Sequence, residues 1–187
     1  MAKGLFSRFA LKLLGWKTDG DMAPGGKNIY LMAPHTSIWD FVIGVLYAGS
    51  QGHRLRVMIK KEAFFFPLGA FLRAFGGFPI DRSNPTSTLV SVIHAMENSG
   101  DKCFNLAICP EGTRHAVKKW KTGYHTIAKA TGAKLYLSFM DYRTKTIGVR
   151  QGEIELTDDA RGDTDRIQEI YGSMNLQGLH KEGFTTK

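Results

Sequence analysis

Apolar residues recur at helical spacing from the start of the chain: Leu5, Phe9, Leu13 and Trp16, with Phe6 and Leu14 beside them. Lys3, Arg8, Lys12 and Lys17 take the polar and flanking positions, so the pattern predicts a basic amphipathic helix over residues 5–16. That stretch is shorter than the ~20 residues needed to span a bilayer, and it lacks the continuous apolar core and cleavage site of a signal peptide. The expectation is a helix lying on a membrane surface, the other reading being a terminal helix packed on the core.

A glycine-rich turn over residues 19–27 then leads into Asn28-Ile29-Tyr30-Leu31-Met32-Ala33, an apolar run that reads as a buried strand. Residues 38–48 read as a helix and 54–59 as a second strand. From 63 to 80 the chain is apolar apart from Arg73, with six phenylalanines, but Pro67 and three glycines break it up. A membrane-spanning helix is not expected there; a helix and loop that line an acyl-chain surface, or pack in the core, are. Helices follow at 86–98 and 121–131, strands at 104–108, 135–140 and 146–156, the last pair forming a hairpin edge. Residues 157–175 read as a charged surface helix and the remainder to Lys187 as a tail. Strand alternates with helix, which predicts an α/β fold: a single-domain layered sheet with helices on its faces and an N-terminal amphipathic helix. Within the single domain 1–187, residues 1–17 form the surface helix, 28–156 the core, and 157–187 the closing helix and tail.

Charge narrows the partners. Lys and Arg outnumber Asp and Glu by 25 to 17, a net +8 that suits anionic ligands: lipid head groups, phosphorylated substrates, coenzyme A or nucleic acid. The two cysteines, Cys103 and Cys109, flank one predicted strand and offer neither a disulfide framework nor a metal-ligand cluster, so a reducing cytoplasm is expected.

The candidate chemistry centres on residues 33–40, Ala-Pro-His-Thr-Ser-Ile-Trp-Asp, where His35 stands five residues before Asp40. On one ideal helix such residues are about 140° out of line, so the side chains meet only if His35 stays outside the helix that carries Asp40. Pro34 disfavours helix just before it, and Thr36 or Ser37 can serve as N-cap, leaving Asp40 in the first turn. A histidine held by a carboxylate can take a proton from a substrate hydroxyl. The bland reading is a capping-box variant in which Asp40 merely closes a helix end. Two further stretches, 76–82 and 109–114, each end a glycine-bearing turn on an arginine, Arg82 and Arg114, which suits a bound phosphate. His35, Glu111 and Arg114 all follow predicted strands, where α/β sheets bind ligands.

Taken in order, His35 with Asp40, Gly76-Gly77-Phe78-Pro79-Ile80-Asp81-Arg82, and Pro110-Glu111-Gly112-Thr113-Arg114 resemble the ordered motifs of the glycerolipid acyltransferase family typified by lysophosphatidic acid acyltransferase. Trp120-Lys121-Thr122-Gly123 resembles that family's downstream Lys-x-Gly segment. The sequence departs from the pattern at Pro79 and Cys109, where aromatics are usual, at Pro34, where asparagine is common, and in residues 133–139, which lack the proline of the fourth motif. The resemblance implies transfer of a fatty acyl group from an acyl thioester to a lysophospholipid hydroxyl, most simply 1-acylglycerol-3-phosphate giving phosphatidic acid. It implies His35 as base and Asp40 as its orienting partner. Arg82, Gly112, Thr113, Arg114 and Lys121 would bind the acceptor, and Glu111 would order the loop or bind the glycerol. No metal or resident cofactor is implied; acyl-CoA or acyl carrier protein is the co-substrate, an anionic membrane surface is a partner, nucleic acid is not, and the location is the cytoplasmic face of a membrane. The rival reading is a non-catalytic lipid-binding protein of the same fold, which has no use for His35.

Overall fold

The run at 28–33 becomes the middle of the molecule. In the computed structural model, which describes residues 2–81 and 83–180, it forms β2 (Gly26–Ala33), with its last six residues buried. Successive side chains leave opposite faces of a strand, and here both faces are covered. Ile29, Leu31 and Ala33 enter one apolar cluster, while Tyr30 and Met32 enter the other. That double burial explains why the run is continuously apolar rather than alternating.

Around β2 stand β1 (Lys17–Asp19), β3 (Leu55–Lys60), β4 (Gly77–Ile80), β5 (Cys103–Ile108), β6 (Lys134–Asp141) and β7 (Thr146–Val149), in the order β1-β7-β6-β2-β5-β3-β4. All neighbours are parallel except the β6–β7 hairpin. The hairpin is as expected, but it ends at Val149 and is not the sheet's edge, because β1 pairs outside it from within the stretch expected to be flank and turn. β4 also lies in a stretch read as helix and loop; only the helix α3 (Leu68–Ala74) precedes it.

One face of the sheet carries α4 (Pro85–Glu97), α5 (Gly123–Thr131) and α6 (Ala160–Ser173), through Val92, Met96, Tyr124, Ile127, Ile167 and Tyr171. The other carries α1 (Ala2–Leu13) and α2 (Trp39–Ser50), through Leu11, Ile43, Tyr47 and Ala48. α6 is not the surface helix its charges suggest: Ile167 and Tyr171 are fully buried, and the Tyr171 hydroxyl shares its proton between Leu31 O at 2.6 Å and Ser138 O at 2.8 Å. Asp159 caps it by accepting from the N–H groups of Arg161 and Gly162.

α1 crosses α2 on small residues. A Cβ on Gly49 would stand 2.5 Å from Ser7 Oγ, and one on Gly4 would stand 3.5 Å from Gly49 O, so the backbones approach closely there. Arg8 Nε donates to Ser50 O at 2.8 Å. With Gly4, Ser7 and Leu11 turned inward, Leu5, Phe6, Phe9 and Leu13 are left facing solvent. No helix among the described residues is long and apolar enough to cross a membrane.

Candidate active site

The C-terminal end of β2 runs straight into Pro34, joined to Ala33 by a cis peptide, and then into His35. Proline keeps the chain out of helix here, and α2 starts only at Trp39, so His35 stands outside the helix while Asp40 lies in its first turn. The side chains then meet: His35 Nδ1 lies 2.9 Å from Asp40 Oδ2. Asp40 is buried at 4% exposure, whereas the His35 side chain keeps 23%. Neither Thr36 nor Ser37 is the N-cap, which is Ile38 without a side-chain cap bond. The capping instead runs backwards, because Asp40 Oδ2 accepts from the N–H groups of Thr36 at 2.8 Å and Ser37 at 3.0 Å, and Ser37 Oγ accepts from Trp39 N–H at 3.2 Å. The capping and dyad readings therefore hold together on one carboxylate.

Burial alone would raise the pKa of Asp40, but the hydrogen bonds from His35, Tyr142 and Ser37 outweigh it and hold the group below its usual 3.8. It is ionised throughout the neutral range. The anion sets the ring with its proton on Nδ1, which leaves the Nε2 lone pair free to accept one.

Glu111 comes from the loop after β5, which runs beside β2 with Leu31 opposite Ile108. Its carboxyl accepts the His35 N–H, with Oε2 at 3.0 Å and Oε1 at 3.2 Å, so it acts on the backbone of the histidine rather than on the ring. Burial pushes its pKa up to about 8, against the lowering effect of that N–H, and the Asp40 charge adds to the rise. At neutral pH it is mostly a neutral acid, holding the His35 backbone.

The rest of the 109–122 loop folds over itself. Gly112 takes a φ of +67°, and a Cβ there would stand 2.7 Å from Lys121 Cε, so the lysine stem crosses the glycine. Lys121 N–H closes the loop onto Pro110 O at 2.8 Å, and Thr113 Oγ1 accepts from His115 N–H at 3.4 Å. Arg114, Lys118, Lys119 and Lys121 are all exposed on this segment. Arg82 lies outside the described residues; Asp81 before it is tied to Lys61 Nζ at 2.5 Å and to Ser83. The structure thus brings His35, Asp40 and Glu111 into contact and puts Gly112, Thr113, Arg114 and Lys121 on the loop that Glu111 anchors. Sequence reasoning missed Tyr142, whose hydroxyl donates to Asp40 Oδ1 at 2.6 Å. It follows β6, 102 residues beyond Asp40, and no local pattern marks it.

A histidine with Nδ1 held by a buried carboxylate, its Nε2 left open beside a basic loop at the ends of parallel strands, has the build of a general-base group-transfer site. The chain belongs to the acyltransferase family, whose model, described as Acyltransferase, matches residues 17–138. It is 30% identical over 139 residues to the 1-acyl-sn-glycerol-3-phosphate acyltransferase of Streptococcus pneumoniae (strain ATCC BAA-255 / R6), covering 70% of this chain and 51% of that protein. The chain thus spans about half the length of the curated relative it matches. Its fold is similar to the crystal structure of the 1-acyl-sn-glycerophosphate (LPA) acyltransferase PlsC from Thermotoga maritima, with a TM-score of 0.58 over 95% of this chain and 80% of that one, at 15% identity.

Proposed function

We propose that the protein transfers a fatty acyl group from an acyl thioester to the free hydroxyl of a lysophospholipid, with 1-acylglycerol-3-phosphate as acceptor and phosphatidic acid as product. The observation that carries this reading is the His35–Asp40 contact of 2.9 Å, made at the end of the central strand with the histidine still partly open to solvent. His35 Nε2 takes the proton of the acceptor hydroxyl as its oxygen attacks the thioester carbonyl. Asp40 keeps the ring in place and stabilises the imidazolium. The tetrahedral adduct collapses with cleavage of the C–S bond, and the departing thiolate takes the proton back from His35. The donor is acyl-CoA or acyl carrier protein. The exposed Arg114 and Lys121 supply positive charge for the acceptor's phosphate, together with Arg82, and Gly112 lets its own loop turn tightly.

The same reading sets the protein on a membrane surface through α1. Its outward Leu5, Phe6, Phe9 and Leu13 form an apolar stripe, flanked by the exposed Lys12 and Lys17. Arg8 is turned onto Ser50 and contributes less charge to that surface than its spacing suggests. The apolar segment before β4 adds exposed Phe65, Phe66 and Phe71.

The test is an assay of the purified chain with radiolabelled acyl-CoA and acyl carrier protein against a panel of lysolipids in mixed micelles. Transfer to lysophosphatidic acid is expected, with weaker transfer to lysolipids that lack a phosphomonoester. Retained vesicle binding with no transfer to any acceptor would return the non-catalytic lipid-binding reading.

A further inference from the structure

Asp40 is held at both oxygens, and the two are held by different parts of the chain. Oδ2 is occupied locally, by His35 Nδ1 and the N–H groups of Thr36 and Ser37. Oδ1 receives the hydroxyl of Tyr142 at 2.6 Å, from the turn between β6 and β7. A carboxylate gripped at one oxygen can still turn about its Cβ–Cγ bond, and turning it would swing Oδ2 off the imidazole. A second grip at the other oxygen fixes the plane.

Tyr142 is itself fixed on two further sides. Its backbone N–H donates to Gln177 O at 2.8 Å, and Gln177 N–H returns to Asp141 Oδ1 at 3.2 Å, so the segment after α6 pins the hairpin backbone. The ring of Trp16 meets the Tyr142 ring edge-on, with centroids 5.0 Å apart at 86°. Trp16 lies on the stretch that leaves α1, so the helix with the open apolar face ends against the ring that touches the dyad. The same C-terminal segment reaches the other side of the loop, where Leu179 N–H donates to Thr36 Oγ1 at 2.9 Å.

We propose that Tyr142 is a positioning residue for the His35–Asp40 pair: its hydroxyl holds the plane of the Asp40 carboxylate so that Oδ2 faces the imidazole. The proposal rests on the reading of His35 as base, but it concerns the pair itself and can be tested without substrate. Without that grip the carboxylate can turn about its Cβ–Cγ bond, so loss of the hydroxyl weakens the contact of Oδ2 with the imidazole. The ionisable groups that face the carboxylate are His35 and Tyr142, with Glu111 across the loop. Beside Tyr142, Asp141 and Arg143 face each other at 3.5 Å.

Tyr142→Phe deletes the hydroxyl and keeps the ring against Trp16. In protein labelled with [15N]histidine, the downfield Nδ1–H resonance of the His35 ring, the mark of its hydrogen bond to Asp40, should weaken or move upfield. An unchanged resonance in a folded variant overturns the proposal. In the transfer assay the same substitution should lower kcat about tenfold, the factor that one ordinary hydrogen bond represents, with KM unchanged. Because Tyr142 acts through Asp40, adding Tyr142→Phe to Asp40→Asn should cost no further tenfold; a full second loss would place its role elsewhere and also overturn the proposal. If wild type transfers no acyl group at all, the proposed function fails, while the Nδ1–H resonance still decides whether Tyr142 governs the pair.

Discussion

The loop of His35 and the outer face of α1 break the usual partition between core and surface in opposite senses. In the first, a carboxylate, a carboxyl and two hydroxyl side chains are buried: Asp40, Glu111, Thr36 and Ser37. Each of them has a hydrogen-bond partner, which is what makes such burial tolerable. In the second, four large apolar side chains stand in water, with Leu5 at 71% exposure, Phe6 at 68%, Phe9 at 64% and Leu13 at 76%. Nothing in folding the chain rewards that exposure, since a buried side chain of this size is worth about 1.5–3 kcal/mol. The polar loop is organised from within, as a site for chemistry would be; the apolar stripe faces solvent and suits an external apolar phase.

Three substitutions in the loops, and one single and one paired substitution on the helix, separate the regions. The largest effect is expected from His35→Ala, which should lower acyl transfer by roughly 10²–10⁴-fold, the range of a lost general base. Thermal melting should move little, because Asp40 Oδ2 keeps two backbone N–H partners. Turnover unchanged in that variant would reduce the loop to a helix cap.

Leu11→Ala tests the inner face of α1. Leu11 is buried at 2% exposure, so its truncation should cost about 2–5 kcal/mol in denaturant unfolding. A cost below 0.5 kcal/mol would mean that the helix is not docked on α2 in solution.

Glu111 gives the loop a pH signature. With its pKa raised from 4.5 to about 8 in the folded protein, its contribution to stability is complete below about 4.5 and is lost as pH rises through about 8. Wild type should therefore lose on the order of a few kcal/mol across that window relative to Glu111→Gln, which keeps an acceptor for the His35 N–H but cannot ionise. Asp40 acts in the opposite direction and in a separate window: its lowered pKa means that its contribution fades only as pH falls below the ordinary carboxylate range. Parallel stability curves for wild type and Glu111→Gln between pH 4.5 and 8 would contradict the buried neutral acid.

Replacing Phe6 and Phe9 together by serine should leave stability within about 0.5 kcal/mol, since both are exposed, yet weaken co-sedimentation with anionic vesicles roughly tenfold or more. Equal binding by the double variant would move membrane contact to Phe65, Phe66 and Phe71. The smallest effect is expected from Arg114→Ala, a several-fold rise in KM for lysophosphatidic acid with kcat nearly unchanged, because a phosphate contact helps ground state and transition state alike.

Much of this was legible in the sequence, for local reasons. Pro34 and the five-residue spacing are enough to bring His35 to Asp40, and the unbroken apolar run of β2 announces a strand covered on both faces. What stayed hidden depends on contacts far apart in the chain. Tyr142 reaches Asp40 across 102 residues, and the inner face of α6 is masked by Arg161, Asp163, Asp165 and Arg166 around Ile167. The short edge strands β1 and β4 contain glycine-bearing or polar stretches whose pairing is set by neighbours rather than by composition. For α1, hydrophobic spacing finds the right stripe and leaves its direction open. The contact with α2 is made by Gly4, Ser7 and Leu11, two of which a hydrophobicity pattern does not weigh, so docking and an open apolar face coexist.

The central claim is that His35, set by Asp40, is the base that activates the acceptor hydroxyl. The most direct measurement is the pH dependence of kcat for transfer to lysophosphatidic acid under conditions where chemistry limits the rate. A histidine base must be neutral to act and changes charge between about pH 5 and 8, so the rate should rise with pH through a single ionisation in that range, and Asp40→Asn should abolish most of the rise. A rate flat from roughly pH 5 to 8 in the wild type, or a profile that Asp40→Asn leaves untouched, would contradict it.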